Sequence, residues 1–256
     1  MIVSHRHRFI FLKTRKTAGT SIELSLRPQC GPDDIVTPVT EDRATPQCGG
    51  PRNYLHDRTG WSLADRIAWQ LRGDLSLKSR PAIGFFGHVR GVDLRDRLPA
   101  RVWRDYLKFT IERNPWDRQV SHYFWRMRRA GARKPSFGDY FRASAPLGNW
   151  EIYTERDALI VDKVLRYETL QADLAATANM LGLPELQQIA RAKTSQRPGT
   201  AAYRDFYDDD LRDYFLAPFG PTPVGKTTDS KTDLGEIVRE VEELAVFNDE
   251  AHHIHD

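Results

Sequence analysis

A short apolar run, Phe9–Thr14, passes without a spacer into a stretch where Ala18, Ile22 and Leu26 recur every fourth residue. The first segment is β-prone and carries charge on both sides, the pattern of a buried strand. The second, Thr17–Leu26, buries one face of a helix. Only a tight turn containing Gly19 joins them, so the chain must leave a strand and enter a helix within a few residues. Further short apolar runs, at Asp33–Thr37, Ile83–Gly87, Leu107–Glu112 and Lys163–Tyr167, read as strands. Helices are expected at Leu63–Leu71, from Pro115 to about Arg129, and at Glu168–Leu181, Pro184–Lys193, Tyr203–Phe215 and Asp233–Phe247. Pro115 suits a first helical turn and Gly182 a helix stop. Ile152–Thr154 and Ala158–Val161 read as a hairpin. This alternation predicts an α/β class with three layers: a central, mostly parallel sheet flanked by helices.

The 256 residues suffice for one large domain, and the whole chain, 1–256, reads as one. Within it, residues 38–81 form a loop-rich insertion and residues 218–231 a linker before a C-terminal helix. Lys and Arg total 38 against 35 Asp and Glu, a net charge of +3. That is too small an excess for a nucleic-acid coat, whose affinity rests on many cations. Two cysteines, Cys30 and Cys48, cannot staple a chain of this size. The longest apolar runs, such as Phe9–Leu12 and Ile83–Phe86, fall far short of the roughly 20 residues that span a bilayer. The basic N-terminal stretch is not followed by a long apolar region. These features predict a cytoplasmic protein without nucleic-acid or membrane partners. They assign no oligomeric state.

The turn itself reads Lys16-Thr17-Ala18-Gly19-Thr20-Ser21. A loop that leaves a strand and opens a helix aims several backbone N–H groups at one place, where the helix dipole adds partial positive charge. Gly19 allows close backbone approach, three hydroxyls add donors and Lys16 adds a full charge. Together they describe a cradle for a phosphate-like anion. The order differs from the nucleotide-triphosphatase loop Gly-x-x-x-x-Gly-Lys-Ser/Thr, because Lys16 precedes the glycine. The competing reading is a helix start capped by Thr and Ser hydroxyls.

A second motif joins Arg113, at the end of the Leu107–Glu112 strand, to Ser121 in the helix opened by Pro115. Trp116, Val120, Tyr123, Phe124 and Met127 share the apolar face of that helix, which leaves Ser121 on its flank. A guanidinium and a hydroxyl converging there suit a phosphate, which Arg binds through two N–H groups at once. The competing reading is an Arg paired with a carboxylate and a Ser on a solvated flank.

Both motifs, in this order and about one hundred residues apart, resemble the sulfotransferases that use 3′-phosphoadenosine 5′-phosphosulfate. Lys16–Ser21 is similar to that family's loop for the 5′-phosphosulfate, and Arg113…Ser121 to its 3′-phosphate site. Arg113-Asn-Pro-Trp-Asp-Arg118-Gln-Val-Ser121-His-Tyr is close to the wording of the carbohydrate branch. Phe86-Gly87-His88-Val89 is similar to the segment that carries the catalytic His of the glycosaminoglycan 2-O-sulfotransferases, and Val161–Leu170 to a strand–helix segment of small bacterial members. One departure is Arg15, where many members have Pro.

The resemblance implies a P-loop-like fold and a donor site of Lys13, Arg15, Lys16, Thr17, Ala18, Gly19, Thr20, Ser21, Arg113 and Ser121. Arg197, in the loop Lys193–Pro198, is a weaker candidate to close over the donor. It implies Lys16 as the cation at the transferred group and His88 as general base, with no metal. An acceptor hydroxyl needs a base, and imidazole is the side chain whose ordinary pKa, roughly 6.5, suits that role near neutral pH. His88 follows the Ile83–Gly87 strand, at the sheet edge where α/β proteins place ligands. The competing reading for His88 is a ring that only hydrogen-bonds a loop; His122 is the second choice as base. Asn53, Tyr54, Trp61 and Trp69 are candidates for an acceptor pocket or for core.

The expected activity is therefore sulfuryl transfer to a hydroxyl of a carbohydrate or small-molecule acceptor. The alternatives are a non-catalytic module that binds a nucleotide or sulfated glycan, and a nucleotide kinase. A kinase needs the Gly-Lys-Ser/Thr order and an Asp for Mg²⁺, and the sequence displays neither.

Overall fold

The fold is known from a computed structural model, which describes residues 1–42, 44–55, 63, 67, 84–128, 130, 134–144, 146–183 and 202–216. Arg197, Trp61, Trp69, the 218–231 linker, most of the 38–81 insertion beyond residue 55, and the helices expected at Pro184–Lys193 and Asp233–Phe247 lie outside these residues. Of the helix expected at 63–71, only Leu63 and Ile67 are described, and both are helical. The described residues fall into two compact units. The first draws on Met1–Glu112, Asn149–Glu155 and Leu159–Thr194, the second on Arg113–Gly148, Arg156–Ala158 and Ser195–Asp256.

Among the described residues, five strands form the main sheet of the first unit: β1 (Ile2–Ser4), β2 (Phe9–Phe11), β3 (Ile35–Val36), β4 (Leu107–Glu112) and β5 (Lys163–Arg166), in the spatial order β3-β1-β2-β4-β5. β2, β4 and β5 are parallel neighbours, whereas β1 is antiparallel to β2 and β3. Four strands thus run one way and β1 runs against them. A short loop is enough to reverse β1 into β2, while parallel pairing requires a long crossover. β1 is absent from the sequence reading because three apolar residues before His5 are too few to display a period. Asp34 holds its turn. The buried carboxylate accepts the Ser4 hydroxyl at 2.7 Å and the N–H groups of His5, Arg6 and Gly31 at 2.6, 3.1 and 2.9 Å. Burial pushes this carboxyl up, but those hydrogen bonds outweigh it and hold the group below its ordinary value.

Alternate residues of the strands enter two apolar clusters. Ile2, Phe9, Phe11, Phe109 and Ile111 pack with Ile22 and Leu26 of α1 (Gly19–Leu26) and with a later helix, Leu170–Met180. Val3, Ile10 and Leu12 pack with Leu94 of α2 (Gly91–Arg95), Val102 of α3 (Ala100–Asp105) and Ile152 of the short helix Trp150–Tyr153. Side chains on a strand point alternately to its two sides, so both sides of this sheet are covered. Each fully buried Phe or Ile contributes roughly 1.5–3 kcal/mol. The Leu170–Met180 helix ends where the sequence predicts. Gly182 takes a left-handed φ of 66°, and the Leu183 N–H returns to the Ala178 carbonyl at 2.8 Å.

One expectation is corrected. Residues 84–87 are not a strand of the sheet: Gly84 makes a single antiparallel bridge to Leu55, and Gly87 and His88 lie in a turn. The run is apolar because Phe85 and Val89 are buried in the second cluster, not because it pairs along a ladder. A Cβ on Gly84 would sit 2.3 Å from the Tyr54 carbonyl oxygen, so the bridge needs glycine.

The second unit is helical. α4 (Pro115–Met127) is capped by Asn114, whose side chain accepts the N–H groups of Trp116 and Asp117 at 3.0 and 3.3 Å. Its Trp116, Val120, Tyr123 and Phe124 join Phe137 and Phe141 of α5 (Phe137–Ala143) and Leu211 and Phe215 of a later helix, Asp209–Leu216. The helix expected over Tyr203–Phe215 is broken in two, a single turn at Tyr203–Phe206 and then Asp209–Leu216. The Asp208 carboxylate causes the break by accepting the Leu211 N–H at 2.8 Å, which starts a new helix.

Candidate active site

The loop between β2 and α1 is strained. Lys16 and Ala18, neither a glycine, have φ of 64° and 60°. Left-handed backbone costs an L-residue about 1–2 kcal/mol, and strain of this kind concentrates at functional sites. Left-handed residues alternating with ordinary ones turn successive N–H groups toward one side, forming a concavity suited to anions. Ala18 is the N-cap of α1 and makes no side-chain capping bond. The cap position of α1 therefore carries no hydroxyl. The Thr17 hydroxyl instead lies 2.8 Å from that of Thr14, which in turn donates to the Ile111 carbonyl at the end of β4. Ser21 is buried and Thr20 half-buried.

Gly19 is also tightly packed on the side of Lys13. Its φ is not positive, but a Cβ there would lie 2.7 Å from Cγ of Lys13. The Lys13 stem runs against the start of α1, and its ammonium is buried on the Glu23 carboxylate. Glu23 also meets the Met1 α-amino group, which bonds Thr37 Oγ1 at 2.7 Å. Burial pushes the Glu23 carboxyl up, yet the Met1 α-amino group and the Lys13 ammonium outweigh it and hold the group down at about 2. Lys13 thus braces the loop from behind. Arg15 pairs with Glu151 at 2.8 Å on the surface.

His88 is brought to this loop. Its Nδ1 lies 2.9 Å from the Lys13 carbonyl oxygen. A carbonyl only accepts, so Nδ1 carries the proton and Nε2 is the basic nitrogen of the neutral ring. The bond by itself serves either reading of His88. His122, the second choice, places Nδ1 3.0 Å from the Tyr140 hydroxyl within the second unit.

In that unit Arg113 donates from Nε and Nη2 to Asp117 Oδ2, at 2.8 and 2.5 Å. This is the carboxylate pairing foreseen as the alternative to a phosphate contact. Ser121 is half-buried on α4. Among the described residues, no three His, Cys, Asp or Glu side chains converge as a metal would require. None of their helices is long and apolar enough to cross a membrane.

Two residues near the loop have no sequence signal. Asn149 accepts the Arg15 N–H at 2.8 Å and donates to the Arg15 carbonyl at 3.1 Å. Glu112, the last residue of β4, receives Asn149 Nδ2 at 3.4 Å and the Tyr153 hydroxyl at 3.0 Å. Both contacts close over long sequence separations, where no local spacing reveals them.

The fold and this loop define a mixed α/β protein whose first helix opens from a strained turn. No protein-family model and no solved structure matches the chain. An uncharacterized protein of Archaeoglobus fulgidus is 32% identical over 97 residues, which cover 36% of this chain and 81% of that protein. The chain belongs to the same family as this archaeal protein.

Proposed function

We propose that the chain is a sulfotransferase with a three-layer, P-loop-like fold, moving the sulfuryl group of 3′-phosphoadenosine 5′-phosphosulfate to a hydroxyl of a carbohydrate or small molecule. The observation that carries this reading is the turn at Lys16–Gly19, with two left-handed non-glycine residues opening an α1 that lacks a side-chain cap. Such strain is retained where backbone amides must converge on a ligand. The donor, when bound, supplies an activated sulfuryl group and a stable leaving phosphate. The amides of Thr17–Ser21 hold its 5′-phosphate. Lys16 stands at the transferred group, where charge develops on the leaving oxygen, and positioned electrostatics of this kind supply much of the rate. Nε2 of His88 takes the proton from the acceptor hydroxyl. Assignment of the 3′-phosphate to Arg113 and Ser121 rests on the sequence resemblance alone. Neither Cys30 nor Cys48 is paired, which suits a reducing compartment, and we place the protein in the cytoplasm.

The test is thermal stabilisation by adenosine 3′,5′-bisphosphate, followed by transfer of labelled sulfate to a panel of hydroxyl acceptors. Stabilisation by ATP with Mg²⁺ and not by the bisphosphate overturns the reading in favour of a kinase. Binding of the bisphosphate without turnover on any acceptor favours the non-catalytic module. His88→Ala is expected to lower turnover by about 10²–10⁴-fold, the usual range for a general base, with bisphosphate affinity unchanged.

A further inference from the structure

Asn149 precedes the short helix Trp150–Tyr153 as its N-cap, a position where an Asn side chain ordinarily accepts the N–H groups of the first turn. Here it makes no capping bond. The side chain reaches instead across 134 residues of sequence to the backbone of Arg15. Oδ1 accepts the Arg15 N–H at 2.8 Å, and Nδ2 donates to the Arg15 carbonyl at 3.1 Å and to Glu112 Oε1 at 3.4 Å. Asn149 is 1% exposed, so each of these groups would be costly to leave unpaired. The clamp grips the residue immediately before Lys16, whose left-handed conformation is intrinsically unfavourable.

We infer that Asn149 is the positioning residue of the anion-receiving turn, holding Lys16–Gly19 in its strained form before a ligand arrives. The role assigned to that turn rests on the sulfotransferase reading; the clamp itself does not. Glu112 orients Asn149: its carboxylate takes one Nδ2 proton and is steadied by the Tyr153 hydroxyl at 3.0 Å. An amide is needed, because a carboxylate at 149 would face both Glu112 and the Arg15 carbonyl with no proton to give.

Hydrogen exchange of the ligand-free protein tests the clamp directly. In Asn149→Asp, and in Asn149→Ala should the first variant fail to fold, the Arg15 amide, which the clamp holds, is expected to exchange about tenfold faster, the effect of losing a net hydrogen bond. Amides of β4 and the Leu170–Met180 helix should keep their rates. Glu112→Gln added to Asn149→Asp should recover part of the protection, since it removes the facing charge. An Arg15 amide that exchanges at the wild-type rate in these variants overturns the inference, as does a charge change at 112 without effect on Asn149→Asp. Bisphosphate binding then separates the two readings. If wild type binds and Asn149→Ala binds equally well, the positioning role falls and the function stands. If wild type does not bind, the function falls, and the exchange rates still decide the clamp.

Discussion

Replacing Glu23 by Gln should be among the most damaging conservative changes in the chain. Glu23 is fully buried and carries the only carboxylate of a cluster formed with the Lys13 ammonium, the Met1 α-amino group and Thr37. Gln keeps the volume and removes the charge, which strands the Lys13 ammonium away from water. Burial already pushes the Met1 α-amino group down to about 5, so near neutral pH it is a hydrogen-bonding amine and not a second cation. Breaking a buried ion pair from one side costs roughly 3–5 kcal/mol. The titration leads to a similar size. A carboxyl held at about 2 against an ordinary 4.5 contributes about 3 kcal/mol of stability at neutral pH. For a chain of this length each kcal/mol moves Tm by about 2–4 °C, so a fall of about 10 °C is expected. The group's folded pKa is depressed, so its contribution is complete above about pH 4.5 and is lost as pH falls toward 2. The gap between wild type and Glu23→Gln, measured by thermal or urea unfolding, should therefore be widest near pH 6 and narrow steadily below 4.5. Lys13→Met in the Glu23→Gln background should recover part of the loss, because the stranded charge goes with it. A midpoint within 1–2 °C of wild type, or a gap that does not change between pH 6 and 3, would show that the Glu23 charge does not hold this cluster together.

Two further outcomes follow from local geometry. Ala18→Gly relieves a left-handed residue worth about 1–2 kcal/mol while adding about 0.5–1 kcal/mol of unfolded-chain entropy, so Tm should rise by about 2 °C; a lower Tm would show that the φ of 60° is not strained. Burial first, and the Asp34 carboxylate second, push the Cys30 thiol up to about 12, whereas Cys48 is only half-buried. A thiol reagent at pH 8 should thus label Cys48 alone in the folded protein and both cysteines after unfolding, and early labelling of Cys30 would contradict its burial.

Much of the framework was readable from residue patterns. The strand Leu107–Glu112, the helix opened by Pro115, the stop at Gly182 and the turn into α1 are each set by a period or by one residue's backbone preference. Burial and strand pairing leave the same apolar signature: the 84–87 run is apolar to fill the core, not to pair along a ladder. Tyr203–Phe215 has a continuous helical pattern but not a continuous helix, since Asp208 competes for the backbone with its own side chain. Lys13 carries the same lesson for the site. By type it is a cation in a loop motif, yet its ammonium is paired with the buried Glu23 carboxylate.

Local sequence is enough to end a strand in a glycine-bearing turn and to begin a helix there, because chirality, periodicity and proline or glycine preferences act over a few residues. Tertiary structure alone decided what surrounds that turn. Asn149 reaches Arg15 over 134 positions, and His88 reaches the Lys13 carbonyl over 75. Such bonds form only once two covered sheet faces have brought distant segments within 3 Å. Their energy depends on exclusion of water at the meeting point, a property that no stretch of sequence carries by itself.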